Sequence, residues 1–245
     1  MSEYPAEPAA PPGRPGPTGP PGRPWSGNGR EELADAVRRL MALTVTAAAP
    51  PEVLADAARR AGALAGELEG HVPPAGSGPV ARYADQSAMP QEAVTLAAAM
   101  PFDVVIGSCN PVAPPVEVSF EQPLAVGRVS FTAHYEGAPG CVHGAVIAGA
   151  FDIMLTAANV MAGAAGPTVS LSLRYRKPTL IDQPVRFEAW VTERTARRTH
   201  SRGRLLQGEV VTVEAEGVFA TLDRSRIESM HRRGRSSRAR RPDSI

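Results

Sequence analysis

Two hydrophobic periods divide the chain. In "EELADAVRRLMALTV", Leu33, Val37, Leu40 and Met41 recur at the spacing of one helix face. After the Pro50-Pro51 break, "EVLADAARRAGALAGELEG" repeats the pattern with Val53, Leu54, Ala57, Ala61 and Leu64. Two amphipathic helices are predicted within a helical N-terminal region, 30–99, arranged as a hairpin that covers the domain after it. From 71 to 116 the pattern is irregular. "PQEAVTLAAAM" is weakly helical, and Pro111, Pro114 and Pro115 rule out a regular central strand, because proline brings no N–H to a ladder.

From Val116 the period becomes two. "VEVSFEQ" and "AVGRVSFTAHYEG" alternate apolar and polar residues. "TVSLSLRYRKP" puts Val169, Leu171, Leu173 and Tyr175 on one face, and "VRFEAWVTERT" does so with Val185, Phe187, Ala189 and Val191. "GRLLQGEVVTVEAEGVFATL" supplies one or two further strands, with a bulge expected near Gly208 or Gly217. Between the second and third strand patterns lies a long apolar segment, "GCVHGAVIAGAFDIMLTAANVMAG". The order strand, strand, long helix, then three or four strands predicts an α+β domain over 100–223, an antiparallel sheet with one helix against its face.

That apolar segment carries Asp152 and Asn159. A membrane span is long enough to fit it, but an ionised acid near the bilayer centre costs about 3 kcal/mol or more, and the flanking strands need a sheet to join. No membrane span is expected. A buried core helix accounts for everything except the acid, since a buried carboxylate is paired, protonated or at work. A functional reading uses the small residues Gly144, Ala145 and Ala148 at the helix start. The first helical N–H groups lack internal partners, and donors of that kind can hold an oxygen on which negative charge develops. Asp152 then becomes the matching base or nucleophile. Nine residues separate it from His143, about 13 Å along a helix axis. Asp152 cannot serve the start of its own helix, so a catalytic site requires a second, antiparallel copy, and the protein would be at least a dimer.

Composition narrows the remaining options. The formal net charge of +1 over 245 residues argues against nucleic acid as the partner. Residues 1–29 are Pro/Gly-rich and expected to be disordered; the Arg-rich tail, 224–245, likewise, without the interleaved aromatics of a nucleic-acid surface. Cys109 and Cys141 form no disulfide framework, and with no apolar leader pattern near the start the expected location is the cytoplasm. Neither metal-ligand spacing nor a dinucleotide or P-loop motif occurs, so no metal and no cofactor are expected.

The domain resembles the hotdog-fold acyl-CoA thioesterases, in particular the PaaI-like branch that includes the carboxyl-terminal-modulator type. That branch opens its helix with His-Gly-Gly and carries an acid nine positions after the His. Here stand "HGA", His143 to Ala145, and Asp152; "TVSLSLRYRKP", Thr168 to Pro178, matches the branch's Thr or Ser before a strand ending in Tyr-basic-basic-Pro. The resemblance implies a curved sheet around one central helix and hydrolysis of an acyl-CoA in a homodimer or homotetramer, with the site at the subunit interface. The N–H of Gly144 or Ala145 would bind the thioester carbonyl, and Asp152 of the partner subunit would activate water or attack the carbonyl itself. Thr168 would orient Asp152 or the water, and His143 the oxyanion loop. Asn110 would reach the site as a polar loop residue, while Arg174, Arg176 and Lys177 would meet the CoA phosphates. Ala145 departs from the second Gly of the triplet and puts a methyl where the acyl group approaches. The rival readings are a non-catalytic acyl-CoA-binding or regulatory hotdog protein and a hotdog dehydratase or hydratase.

Overall fold

A computed structural model describes residues 29–74, 96, 98, 100–114, 116–164 and 166–221. The expectations for the chain before Gly29 and for the basic tail lie outside the described residues. Of "PQEAVTLAAAM" only Leu96, Ala98 and Met100 are described; Leu96 is fully buried.

Six antiparallel strands make one sheet: β1 (Glu117–Glu121), β2 (Leu124–Ser130), β3 (Thr168–Tyr175), β4 (Pro184–Arg194), β5 (Arg198–Gln207) and β6 (Val210–Ala220). Their spatial order is β1-β2-β4-β5-β6-β3, so β1 and β3 are the edges. Helices α1 (Arg30–Thr46) and α2 (Pro51–Glu69) come before the sheet in the chain, and α3 (Gly144–Met161) packs against one face of it.

The apolar segment is thus a core helix. It is the one helix among the described residues long and apolar enough to cross a membrane, and half of it is buried within the protein. Phe151, Met154 and Leu155 meet Phe187, Leu205, Val213 and Phe219 in one fully buried cluster, with Phe151 and Phe187 edge-to-face at 5.1 Å. Close approach of helix to sheet is met by glycine at three strand positions, one of them Gly127, where a Cβ would lie 2.6 Å from Met154 Sδ. A Cβ on Gly217 would lie 2.8 Å from Leu155 Cδ1 and 2.7 Å from Phe219 Cε2, and one on Gly203 would lie 3.1 Å from Phe151 Cε1.

The expectation of a bulge near Gly208 or Gly217 agrees with the ladder: one irregularity falls between Leu205 and Leu206, just before the β5–β6 turn in which Gly208 takes a φ of 57°, and another between Thr168 and Ser170, opposite Phe219 and Val218 beside Gly217. Gly217 pairs regularly with Leu171 and Ser201, and its role is clearance for α3.

The hairpin cover is half met. Arg38 of α1 donates from Nε to Ala113 O at 2.8 Å and from Nη2 to Asn110 O at 3.0 Å, tying α1 to the loop before β1. Helix α2 buries none of its residues. On the sheet, ion pairs run Arg128–Glu121–Arg186–Glu188–Arg204 across β1, β2, β4 and β5.

Candidate active site

Sheet order puts Thr168, the first residue of edge strand β3, beside the middle of α3, and its hydroxyl donates to Asp152 Oδ1 at 2.7 Å. Asp152 is partly buried and Thr168 exposed, so the carboxylate lies at the open margin between helix and edge strand. Among the described residues Asp152 forms no ion pair. It is an oriented acid with one oxygen engaged.

The start of α3 is built by three contacts. His143 is the N-cap, and its Nδ1 accepts from the Ala145 N–H at 3.0 Å. With Nδ1 accepting, the neutral ring carries its proton on Nε2. The His143 N–H donates to Tyr135 O at 2.8 Å, and Gly137 leaves room for the ring, because a Cβ there would sit 2.9 Å from His143 Cα. Tyr175, at the far end of β3, donates to Gly144 O at 2.8 Å and lies against the bare α-carbon of that glycine. Partial burial raises the Tyr175 phenol above its usual pKa, so the hydroxyl keeps its proton at neutral pH.

Among the described residues nothing accepts from the Gly144 N–H, as expected for the first residue of a helix, whereas the Ala145 N–H is taken by the cap. Of the two candidate donors, Gly144 is the free one. Eight residues, about 12 Å of helix rise, separate it from Asp152 of the same chain.

The other expected contacts divide. Asn110 is corrected to a loop-building residue: its Nδ2 donates to Phe102 O at 3.1 Å, its Oδ1 accepts from the Val112 N–H at 3.0 Å, and both ends of the amide are spent inside the loop. Arg176 is half exposed and forms an ion pair with Glu214 of β6 at 2.7 Å. Arg174 and Lys177 are exposed and form no ion pair among the described residues. Among those residues no group of His, Cys, Asp or Glu is placed to hold a metal. Sequence reasoning took Tyr175 for a strand-face residue and passed over Gly137; "RYRKP" was the signal for the tyrosine, while Gly137 left none.

A helix cradled by a six-stranded antiparallel sheet, its N-terminus opened by His-Gly and its middle bearing an acid, defines the hotdog fold. The chain belongs to the thioesterase superfamily. A crystal structure described as a thioesterase superfamily protein is 30% identical, covers 79% of this chain and 95% of its own, and superposes with a TM-score of 0.65. The family profile "Thioesterase superfamily" matches residues 139–216, from the turn before α3 to the middle of β6. Two other similar structures are the E. coli PaaI protein from the phenylacetic acid degradation operon (14% identity, 45% of this chain and 81% of that one, TM-score 0.42) and zebrafish thioesterase superfamily member 2 (19%, 44% and 81%, TM-score 0.41). No curated protein matches the sequence.

Proposed function

We propose that the protein is an acyl-CoA thioesterase of the PaaI-like branch, acting in the cytoplasm as a homodimer or homotetramer with its site at the subunit interface. The observation that carries this reading is the Thr168–Asp152 hydrogen bond at the open edge of the sheet, in a chain whose free Gly144 N–H lies too far along the same helix for that acid to serve.

Strand β3 has one side unpaired, and its apolar face is only half covered: Val169 and Tyr175 are each 52% exposed. An edge strand with this character is a template for pairing with a second copy. Pairing two β3 edges about a two-fold axis brings Asp152 of one subunit toward the Gly144 N–H of the other. The thioester carbonyl then accepts from Gly144, with the helix dipole favouring the developing oxyanion. The unengaged oxygen of Asp152 takes a proton from water as the water oxygen bonds to the carbonyl carbon. Collapse of the tetrahedral intermediate breaks the C–S bond, and the CoA sulfur leaves as thiolate and takes up a proton. Arg174 and Lys177 meet the CoA phosphates.

A panel of short-chain, long-chain and aryl acyl-CoAs with thiol detection, run on wild type and Asp152→Asn, tests this. Turnover unchanged by the substitution removes Asp152 from the chemistry. Single turnover in H₂¹⁸O that places the label in Asp152 identifies it as a nucleophile whose anhydride opens at the aspartyl carbon, whereas label in the product acid alone means that water attacked the acyl carbon.

The second reading, a non-catalytic acyl-CoA-binding protein, draws on one feature: Ala145 adds a methyl where the branch has glycine, and its N–H is occupied by His143. Acyl-CoA binding without turnover selects it.

A further inference from the structure

Helix α2 is apolar along one stripe, and none of its residues is buried. Leu54, Ala57, Ala61, Leu64 and Leu68 recur at alternating steps of three and four residues, the spacing of a coiled-coil seam. Leu54, Leu64 and Leu68 are 47%, 46% and 43% exposed. A helix of 19 residues in a protein takes most of its stability from burying such a stripe. Helix α1 uses one face on the loop before β1, and α2 buries none of its residues there or elsewhere.

We propose that α2 pairs antiparallel with α2 of a second copy of this chain. The helix is complementary to itself in that orientation. With the two-fold axis passing between Gly62 and Ala63, Ala61 packs on the partner's Leu64 and Ala57 on the partner's Leu68, each contact repeated by symmetry. Each of these layers therefore joins one small and one large side chain, which lets the backbones approach closely while the volume is filled, and Leu54 extends the seam past the partner helix's end at Glu69. Flanking the seam, Arg60 meets the partner's Glu67, and Glu67 the partner's Arg60. Within its own chain Arg60 reaches only Asp56, at 4.0 Å, and Glu67 has no ion pair among the described residues. A parallel pair loses both features: it stacks Leu64 on Leu64 and Ala61 on Ala61, and sets Arg60 opposite Ala65. Charge and volume both select a second, antiparallel copy.

The full-length chain is tested by sedimentation velocity over a dilution series, comparing wild type, Arg60→Glu, Glu67→Arg and the double variant. Each single variant opposes like charges at both ends of the pair and weakens self-association by about ten-fold; the double variant restores it to within about three-fold. An equimolar mixture of the two single variants associates again, because both flanking contacts then join a carboxylate of the Arg60→Glu chain to a guanidinium of the Glu67→Arg chain. A tag on one captures the other. Single variants that associate like wild type, a double variant that stays weak, or a mixture that fails to form overturn the proposal. Circular dichroism confirms that the singles retain their helix, and should one lose it, the mixture still decides. No arm reads thioester hydrolysis, so this proposal and the enzymatic one stand or fall separately.

Discussion

The hydroxyl of Thr168 lies 2.7 Å from Oδ1 of Asp152, a hydrogen bond that joins the first residue of an edge strand to the middle of the core helix. It resolves the tension of an acid in the most apolar segment of the chain. The carboxylate is neither buried without a partner nor neutralised by a base; it is held by a neutral donor at the rim, where a second chain can reach it.

Removing the acid is the most direct check. Asp152→Asn keeps size and polarity and is expected to lower kcat by about 10²- to 10⁴-fold, the range for loss of a general base, with the melting temperature nearly unchanged. Thr168→Val is expected to lower kcat about ten-fold while KM moves little, since the hydroxyl touches Asp152 and the substrate does not depend on it. Steady-state kinetics on the best acyl-CoA separate the two parameters.

The exposed apolar face of β3 gives an assembly prediction. Val169→Glu places charge on the exposed part of that face and should convert the assembly to a species without β3 pairing, as light scattering would show. Activity disappears with it. A variant that dissociates at β3 yet keeps full turnover contradicts the shared site.

His143 is a cap before it is anything else. His143→Ala removes the acceptor for the Ala145 N–H and is expected to cost about 1 kcal/mol, whereas His143→Asn, a good N-cap, recovers most of it. Chemical denaturation compares them. Loss of activity in the stable Asn variant would assign His143 a role in the reaction beyond capping.

Gly217→Ala tests the helix-to-sheet clearance. Its Cβ would press on Leu155 and Phe219, which are fully buried and have nowhere to move. Overpacking of this kind costs about 1–3 kcal/mol, visible as a lowered denaturation midpoint. An unchanged midpoint would mean that α3 floats more freely above β6 than the structure shows.

Acid stability follows from the outer ion pairs. Hydrogen bonds from Arg186 and then Arg128 lower Glu121 from 4.5 to about 2. Burial pulls Glu188 upward, but its bonds to Arg186 and Arg204 outweigh that and leave it below its ordinary value. Both carboxylates are depressed in the folded state, so their stabilisation is present above pH 4.5 and is lost as pH falls below it, for Glu121 toward about 2. Thermal melts from pH 7 to 3 should show the decline, and Glu121→Gln should flatten it.

Much of this was legible in the order of residues alone. Hydrophobic period marks which side of a local segment will be covered, so α1, α2, the core helix and the strands after it could be read without coordinates. Asp152 stood out because an acid in an apolar run needs a reason, and "TVSLSLRYRKP" placed Thr168 at a strand start. What period cannot carry is which distant groups meet. Asn110 has the chemistry of a ligand contact, yet the fold spends its amide in a turn. The Tyr175–Gly144 bond spans 31 residues and exists because β3 became the edge beside the helix start. Gly217 marked the neighbourhood of a ladder irregularity, but its closeness to Leu155 arises only when the helix packs above it. A linear sequence determines local burial, because that depends on near neighbours, while strand order brings remote residues together, and only the assembled sheet decides which of them touch.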